Sequence, residues 1–212
     1  MSGVFMRAFL LLCWFLLALG AAQAQPTVGK DYLVLPKPHP VSSGDKIEVA
    51  EFFSYPCHYC YAQDAAITAW LKAQPKDVNV VRKHVVWGRP MEGFARVFAT
   101  LNAAGLADRL HVAAFRAVQH DKINLGKEAE FEKWLRRQPG VDAAKTMAVY
   151  HSFAVKAQVE AAAKFTKDYR ISSTPMLVVD GKYVLAAAQP VQTRKVLDAL
   201  LAKVRAQRNG QV

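Results

Sequence analysis

The chain has 212 residues, a formal net charge of +11, 52% hydrophobic residues and three cysteines. This is enough for one domain with a real core, or one domain carrying an insertion. The 28 Lys and Arg residues are scattered, with no run of five and no interleaved aromatics, so the charge reads as a solvated basic surface and argues against nucleic-acid binding.

Residues 1–24 read as a secretory signal peptide. Arg7 precedes the apolar run Ala8–Gly20, and Ala22-Gln23-Ala24 supplies the small-x-small pattern that places cleavage after Ala24. The run is short for a membrane span. Cys13 stands in its middle, away from the end where a lipid-attachment cysteine would lie, and should leave with the peptide. From Gln25 onward no stretch reaches the length of a span.

Asp31–Leu35 reads as a short edge strand, ended by the prolines of Pro36–Pro40. Ile47–Phe53 is apolar apart from Glu48 and Glu51, the pattern of a strand buried on both faces of a sheet. Tyr61–Ala73 follows as an Ala-rich helix, stopped near Pro75, and Val78–Trp87 as a second strong strand. Gly88-Arg89-Pro90 breaks that strand, and helical spacing takes over. Phe94, Val97, Phe98 and Leu101 mark a helix up to Gly105, Leu106–Gln119 a second, and Glu128–Gln138 a third, closed by Pro139-Gly140. Asp142 caps a fourth, expected to bend around His151-Ser152 and run on to Tyr169. Strands Met176–Val179 and Lys182–Leu185 flank Asp180-Gly181, a strong hairpin signal, and a last helix starts at Val191. The pattern is an α/β sandwich interrupted by an all-helical block.

Two cysteines survive maturation, in Cys57-His58-Tyr59-Cys60. A disulfide across so short a loop adds little fold stability, so chemistry explains it better than scaffolding. Haem attachment wants histidine after the second cysteine, where Tyr61 stands. His39, His58, His84, His111, His120 and His151 supply no zinc-type spacing, and no second cysteine pair exists, so no metal is expected. A redox pair remains. It follows a buried strand and opens a helix, where the macrodipole favours an anion by about 0.3–2 kcal/mol. A strongly acidic Cys57 therefore needs direct hydrogen bonds as well, from the Tyr59 and Cys60 amides or the His58 imidazole. Glu51 reads either as a buried acid beneath the motif, placed to accept a proton from Cys60, or as a carboxylate reaching solvent at the strand end. Arg82 on the neighbouring strand is its candidate counter-charge, and His84 reads as a satisfied core or rim histidine. Thr174-Pro175 fits a cis peptide facing the cysteines or a trans proline at a strand start, and the C-x-x-C favours cis.

The stretch from Glu51 to Tyr61 resembles the active-site segment of the DsbA family of bacterial periplasmic oxidases. The likeness continues through Val80–Val85, Ser152–Lys156 and Ser173–Tyr183, covering nearly the whole mature chain in order. It implies an α/β, thioredoxin-like fold with an inserted all-helical domain. Residues 25–87 and 153–212 would form the discontinuous thioredoxin-like domain, and residues 88–152 the insertion. It further implies a monomeric periplasmic thiol-disulfide oxidoreductase that donates its Cys57-Cys60 disulfide to unfolded secreted proteins. A DsbB-like, quinone-linked membrane protein would reoxidise it, and no cofactor beyond the redox-active disulfide is implied. Cys57 would be the attacked sulfur, Cys60 the buried one, Glu51 the family's buried acid and Pro175 the cis-proline lining the peptide groove. Thr174 and Tyr59 are read as substrate-binding residues with it, and His58 as part of the catalytic group.

The sequence departs from the family in three places. His58-Tyr59 stands where Pro-His is commonest, Arg82 where lysine is common, and Thr174 where an aliphatic residue is common. Two rival functions share the fold. A reductase or isomerase is disfavoured because no separate N-terminal dimerisation domain is present, and a redox-inert peptide-binding chaperone because both cysteines are intact.

Overall fold

Two segments far apart in the sequence build one five-stranded sheet. The computed structural model describes residues 25–187 and 189–210, so the signal peptide expected at residues 1–24 lies outside the described residues. The strands are Leu33–Val34 (β1), Ile47–Phe53 (β2), Val78–His84 (β3), Met176–Val179 (β4) and Tyr183–Ala186 (β5), in the spatial order β1-β5-β4-β2-β3. β2 runs parallel to β3, with Ile47 opposite Val78 and Phe53 opposite His84, and antiparallel to β4, with Val49 opposite Val179. Every residue of β2 is buried, as its nearly unbroken apolar sequence requires of a central strand. Parallel neighbours need a crossover, and helix α1, His58–Lys72, provides it. β4 and β5 form the expected hairpin. Asp180 and Gly181 both have positive φ, as the tight hairpin turn demands.

Between β3 and β4 stand five helices: α2 (Arg89–Ala103), α3 (Ala107–Gln119), α4 (Glu128–Leu135), α5 (Ala143–Tyr150) and α6 (Phe153–Asp168). Helix α7, Pro190–Arg208, closes the described chain. Two expectations need correction. The helix expected to bend at His151-Ser152 is two helices, because Ser152 adopts an extended conformation and its Oγ accepts the Val155 N–H at 3.2 Å, capping a new helix. Strand β3 ends at His84 and not at Trp87. The Val85 amide still reaches the Phe53 carbonyl at 2.9 Å, but the Val86 amide turns away to the Thr166 hydroxyl at 3.0 Å.

The core has two main parts. Ile47, Val49, Leu177 and Val179 pack with Trp70 of α1 and with Val196, Leu197, Leu200, Leu201 and Val204 of α7. Phe53, Tyr55 and Cys60, at the C-terminal end of β2 and the start of α1, instead share a core with Val97, Phe98, Leu110, Phe115, Phe131 and Trp134 of the helical block. The C-x-x-C segment therefore lies where the sheet meets the helices.

α2 approaches the Asn124–Lys127 turn so closely that a Cβ on Gly93 would lie 2.1 Å from the Gly126 carbonyl oxygen. Alanine is the better helix former, yet here it would have to displace backbone. Gly93→Ala is expected to lower stability by about 2 kcal/mol in urea unfolding. Unchanged or increased stability would show that the turn yields freely.

Candidate active site

Strand β2 delivers the chain to the turn Ser54-Tyr55-Pro56, which the Cys57 amide closes by donating to the Ser54 carbonyl at 2.9 Å. The Cys57 carbonyl then accepts the Tyr61 N–H at 3.2 Å, which makes Cys57 the N-cap of α1. Its Sγ occupies the place that a serine or aspartate oxygen usually takes, accepting the Cys60 N–H at 3.2 Å. The helix begins at His58, three residues before the expected Tyr61, so Cys60 falls in the first turn.

The two sulfurs are free thiols in unlike settings: Cys57 is partly exposed, Cys60 fully buried. The Cys57 pKa is drawn down from 9.0 to about 6. The Cys60 thiol hydrogen-bonded to it is the main cause, and the Thr174 side chain and the Cys60 and Tyr59 amides add to it against the cost of burial. Cys60 is pushed strongly upward by that same bond and by burial. A stabilised thiolate is a good leaving group in disulfide exchange.

The Thr174-Pro175 peptide is cis, and Cys57 Sγ lies 3.4 Å from the Thr174 carbonyl oxygen. Pro175, Thr174, Tyr59, Gln63 and Ala187 line a groove of about 330 Å³ beside the cysteines. Tyr59 is 69% exposed on its rim. His58 is exposed too, and among the described residues no hydrogen bond joins its imidazole to Cys57. Of the candidate donors read from the sequence, the structure uses the Tyr59 and Cys60 amides, with the Cys60 thiol beside them.

Glu51 is buried, 2% exposed, on the face of β2 that α1 covers. Of the two sequence readings the structure takes the buried acid, and Arg82 is its counter-charge, with Nε 3.0 Å from Oε2. Burial raises the Glu51 pKa to about 7, and the Arg82 charge only partly opposes it. Arg82 also donates to Thr68 Oγ1 at 2.7 Å and to Asp64 Oδ1 at 3.4 Å. His84 is a satisfied core histidine. Its Nε2 accepts the Tyr55 amide at 3.1 Å, its Nδ1 lies 2.8 Å from the Val85 carbonyl, and burial drives its pKa down to about 3.

Asp64, His111 and Tyr55 were not singled out as site residues from the sequence. A signal existed for Asp64, because Cys60, Asp64 and Thr68 recur every four residues on one face of α1. His111 sits on α3, and nothing local in the sequence ties it to the cysteines. Among the described residues no group of three or more His, Cys, Asp or Glu could hold a metal. No helix among them is long and apolar enough to cross a membrane.

The model of the DSBA-like thioredoxin domain matches residues 88–198, just over half of the chain and downstream of the cysteines. The chain is 38% identical over 190 residues to the thiol:disulfide interchange protein DsbA of Pseudomonas aeruginosa strain PAO1, covering 88% of this chain and 90% of that one. It is 36% identical over 195 residues to the DsbA of Burkholderia cepacia, covering 89% and 92%. Among solved structures, that of Pseudomonas aeruginosa DsbA superposes with a TM-score of 0.82 at 36% identity, covering 87% of this chain and 97% of that one. The oxidoreductase NmDsbA1 of Neisseria meningitidis gives 0.80 at 31% identity, covering 88% and 98%.

Two predictions follow from the pKa values. The Cys57 pKa is depressed on folding, so its stabilisation is fully present above pH 9 and lost as pH falls through about 6. Only the reduced form has this thiolate. Reduced protein should therefore gain about 1 kcal/mol over oxidised protein between pH 5 and pH 7, after discounting for the partial exposure of Cys57. Urea curves of both redox forms that keep a constant gap over this range would contradict it. For Glu51 the sign is opposite: its pKa is raised, so stability is full below 4.5 and lost as pH rises through about 7. Glu51→Gln is expected to stabilise the fold by about 2 kcal/mol at pH 8, allowing for the hydrogen bond Arg82 loses, with no gain at pH 4. Destabilisation at pH 8 would show that the Arg82 pair outweighs burial.

Proposed function

This chain belongs to the DsbA family of thiol:disulfide oxidoreductases, and on that premise we propose that it works in the periplasm, donating a Cys57-Cys60 disulfide to secreted proteins. The observation that carries the assignment of roles is the asymmetry of the pair. Cys57 is partly exposed, caps α1 and has a pKa near 6, whereas Cys60 is fully buried behind it.

In the oxidised protein a substrate thiolate attacks Cys57 Sγ. The Cys57–Cys60 bond breaks, a Cys57–substrate disulfide forms, and the electron pair leaves on Cys60, which then takes up a proton. A second substrate thiolate attacks the substrate sulfur of this mixed disulfide and expels Cys57 as its stabilised thiolate. The substrate loses two electrons and the pair gains them as a dithiol. The stability of that thiolate favours the direction. Glu51 serves as proton acceptor whenever Cys60 must be deprotonated, a role supported by its burial and its pKa near neutrality.

The groove along Pro175, Thr174 and Tyr59 holds the extended substrate chain against the cis-proline loop. His58, exposed at the first residue of α1, contacts the substrate and leaves the thiolate to the backbone amides. No cofactor is needed beyond the disulfide itself. Reoxidation falls to a DsbB-like, quinone-linked membrane protein, and the signal peptide at residues 1–24 delivers the chain to the compartment where both partners are found.

Cysteine replacement tests these roles. Cys57→Ser should abolish oxidation of reduced peptide substrates. Cys60→Ser should accumulate mixed disulfides through Cys57, because the resolving thiol is gone. Mixed disulfides trapped through Cys60 in the Cys57→Ser protein would reverse the assignment.

A further inference from the structure

The groove beside Pro175 does not end at the cis-proline loop. Ala186 and Gln189 line it, and both also line a second cleft of about 360 Å³. That cleft takes in Gly29–Leu33, so it lies on the side of β5 away from β4. Met176 and Val184 belong to the core on one face of the sheet, Leu185 and Val196 to the core on the other, yet all four reach the cleft. A cleft that touches both faces opens over the edge of a strand.

The edge is that of β5. The Ala187 amide donates to the Pro175 carbonyl at 3.1 Å, and the Leu35 amide to the Lys182 carbonyl at 2.9 Å. Backbone groups alternate along an antiparallel strand, so Tyr183, Leu185 and Ala187 bond toward β4 and Lys182, Val184 and Ala186 toward β1. β1, however, pairs only with Tyr183 and Val184. Just before it the chain turns back on itself, with the Asp31 amide donating to the Thr27 carbonyl at 2.9 Å. The N–H and C=O of Ala186 therefore face the cleft, and among the described residues neither has a hydrogen-bond partner there. Beside this open edge Leu33 is 56% exposed. A free edge next to an exposed leucine is an aggregation hazard that edge strands usually avoid.

We propose that a substrate chain held at the cis-proline loop runs on into this cleft, pairs with β5 at Ala186 and rests an apolar side chain on Leu33. The proposal rests on the reading of the Pro175 groove as the substrate site, and the two clefts are continuous through Ala186 and Gln189. Extended backbone added to a free strand edge gains main-chain hydrogen bonds whatever its sequence, which suits an enzyme acting on many unfolded chains. Pro175 and Ala187 are partners on adjacent strands, so a strand added outside β5 lies two spacings, about 10 Å, from the cis-proline. An extended chain advances about 3.3 Å per residue, which puts the contact about three residues from the reacting cysteine.

Oxidised full-length protein tests this with reduced two-cysteine peptides. The long peptide carries leucine three residues to either side of its cysteines, and the short one stops before those positions. In the unaltered protein the long peptide should have a kcat/KM about tenfold higher, near the low end of what an apolar group in a fitted pocket contributes. Leu33→Glu should remove that advantage and transfer it to a long peptide with lysine in place of leucine, leaving the short peptide unchanged. A merely structural loss would not transfer it. Ala186→Pro deletes the free N–H without touching a bond inside the sheet, and should reduce the advantage of both long peptides. Should Ala186→Pro not fold, Leu33→Glu decides alone. Equal kcat/KM for long and short peptides in the unaltered protein would overturn the extension. So would a Leu33→Glu protein that still prefers leucine or slows all peptides alike, or a folded Ala186→Pro protein that keeps the full advantage. Failure to oxidise even the short peptide would instead sink the oxidoreductase reading, and the extension with it.

Discussion

Every α-helix leaves its first amides without partners inside the helix, and at the start of α1 the group that answers this is a sulfur. Cys57 Sγ accepts the Cys60 N–H at 3.2 Å, so the atom with the most reactive chemistry is also the helix cap. Much of the nearby architecture follows from that dual duty. β2 must end at Phe53 so that the turn can bring Cys57 to the helix start. The cis Thr174-Pro175 loop must lie close enough for its carbonyl to border the sulfur at 3.4 Å. Cys60 must be buried one turn behind, where its thiol can hydrogen-bond to Cys57 and stay neutral itself.

The second constraint opposes stability. Glu51, Asp64, Arg82 and His111 sit at the junction of sheet and helices, where burying charge costs several kcal/mol per ion before pairing offsets it. The offset is partial: Glu51 keeps a pKa near 7 with Arg82 3.0 Å away. A purely structural junction would be filled with apolar side chains, as the neighbouring cluster of Phe53, Phe98 and Phe115 is.

The sheet was legible because β2 and β3 are long, apolar and bounded by turn residues, and because Asp180-Gly181 marks its own hairpin. The helical spans were legible from spacing, but their ends were not. Ser152 carries a cap signal that competed with an unbroken helical pattern on both sides, and only the extended backbone at Ser152 separates the helices. In the site, the cysteine pair, the buried Glu51 with Arg82, and the cis-proline loop all announced themselves through local pattern. Of the candidate donors to Cys57, His58 was suggested by adjacency in sequence, but its side chain is exposed and among the described residues makes no hydrogen bond to the sulfur. His111 stayed hidden because it lies on α3, far along the chain from Cys57, and reaches the site only through tertiary packing.

The pairing of β2 with β4 has a consequence for how the chain comes together. β2 sits at the centre of the sheet, yet its neighbour Met176–Val179 belongs to the far end of the sequence. In a chain made from its N-terminus, β2, α1 and β3 are complete long before β4 exists, and one long edge of a strand destined to be wholly buried waits unpaired. Such edges template aggregation. The intervening helices have mostly local contacts and form quickly, and their core takes in Phe53, Tyr55 and Cys60. Helices that pack on Phe53, Tyr55 and Cys60 can therefore shelter the cysteine end of that strand while its partner is still unmade.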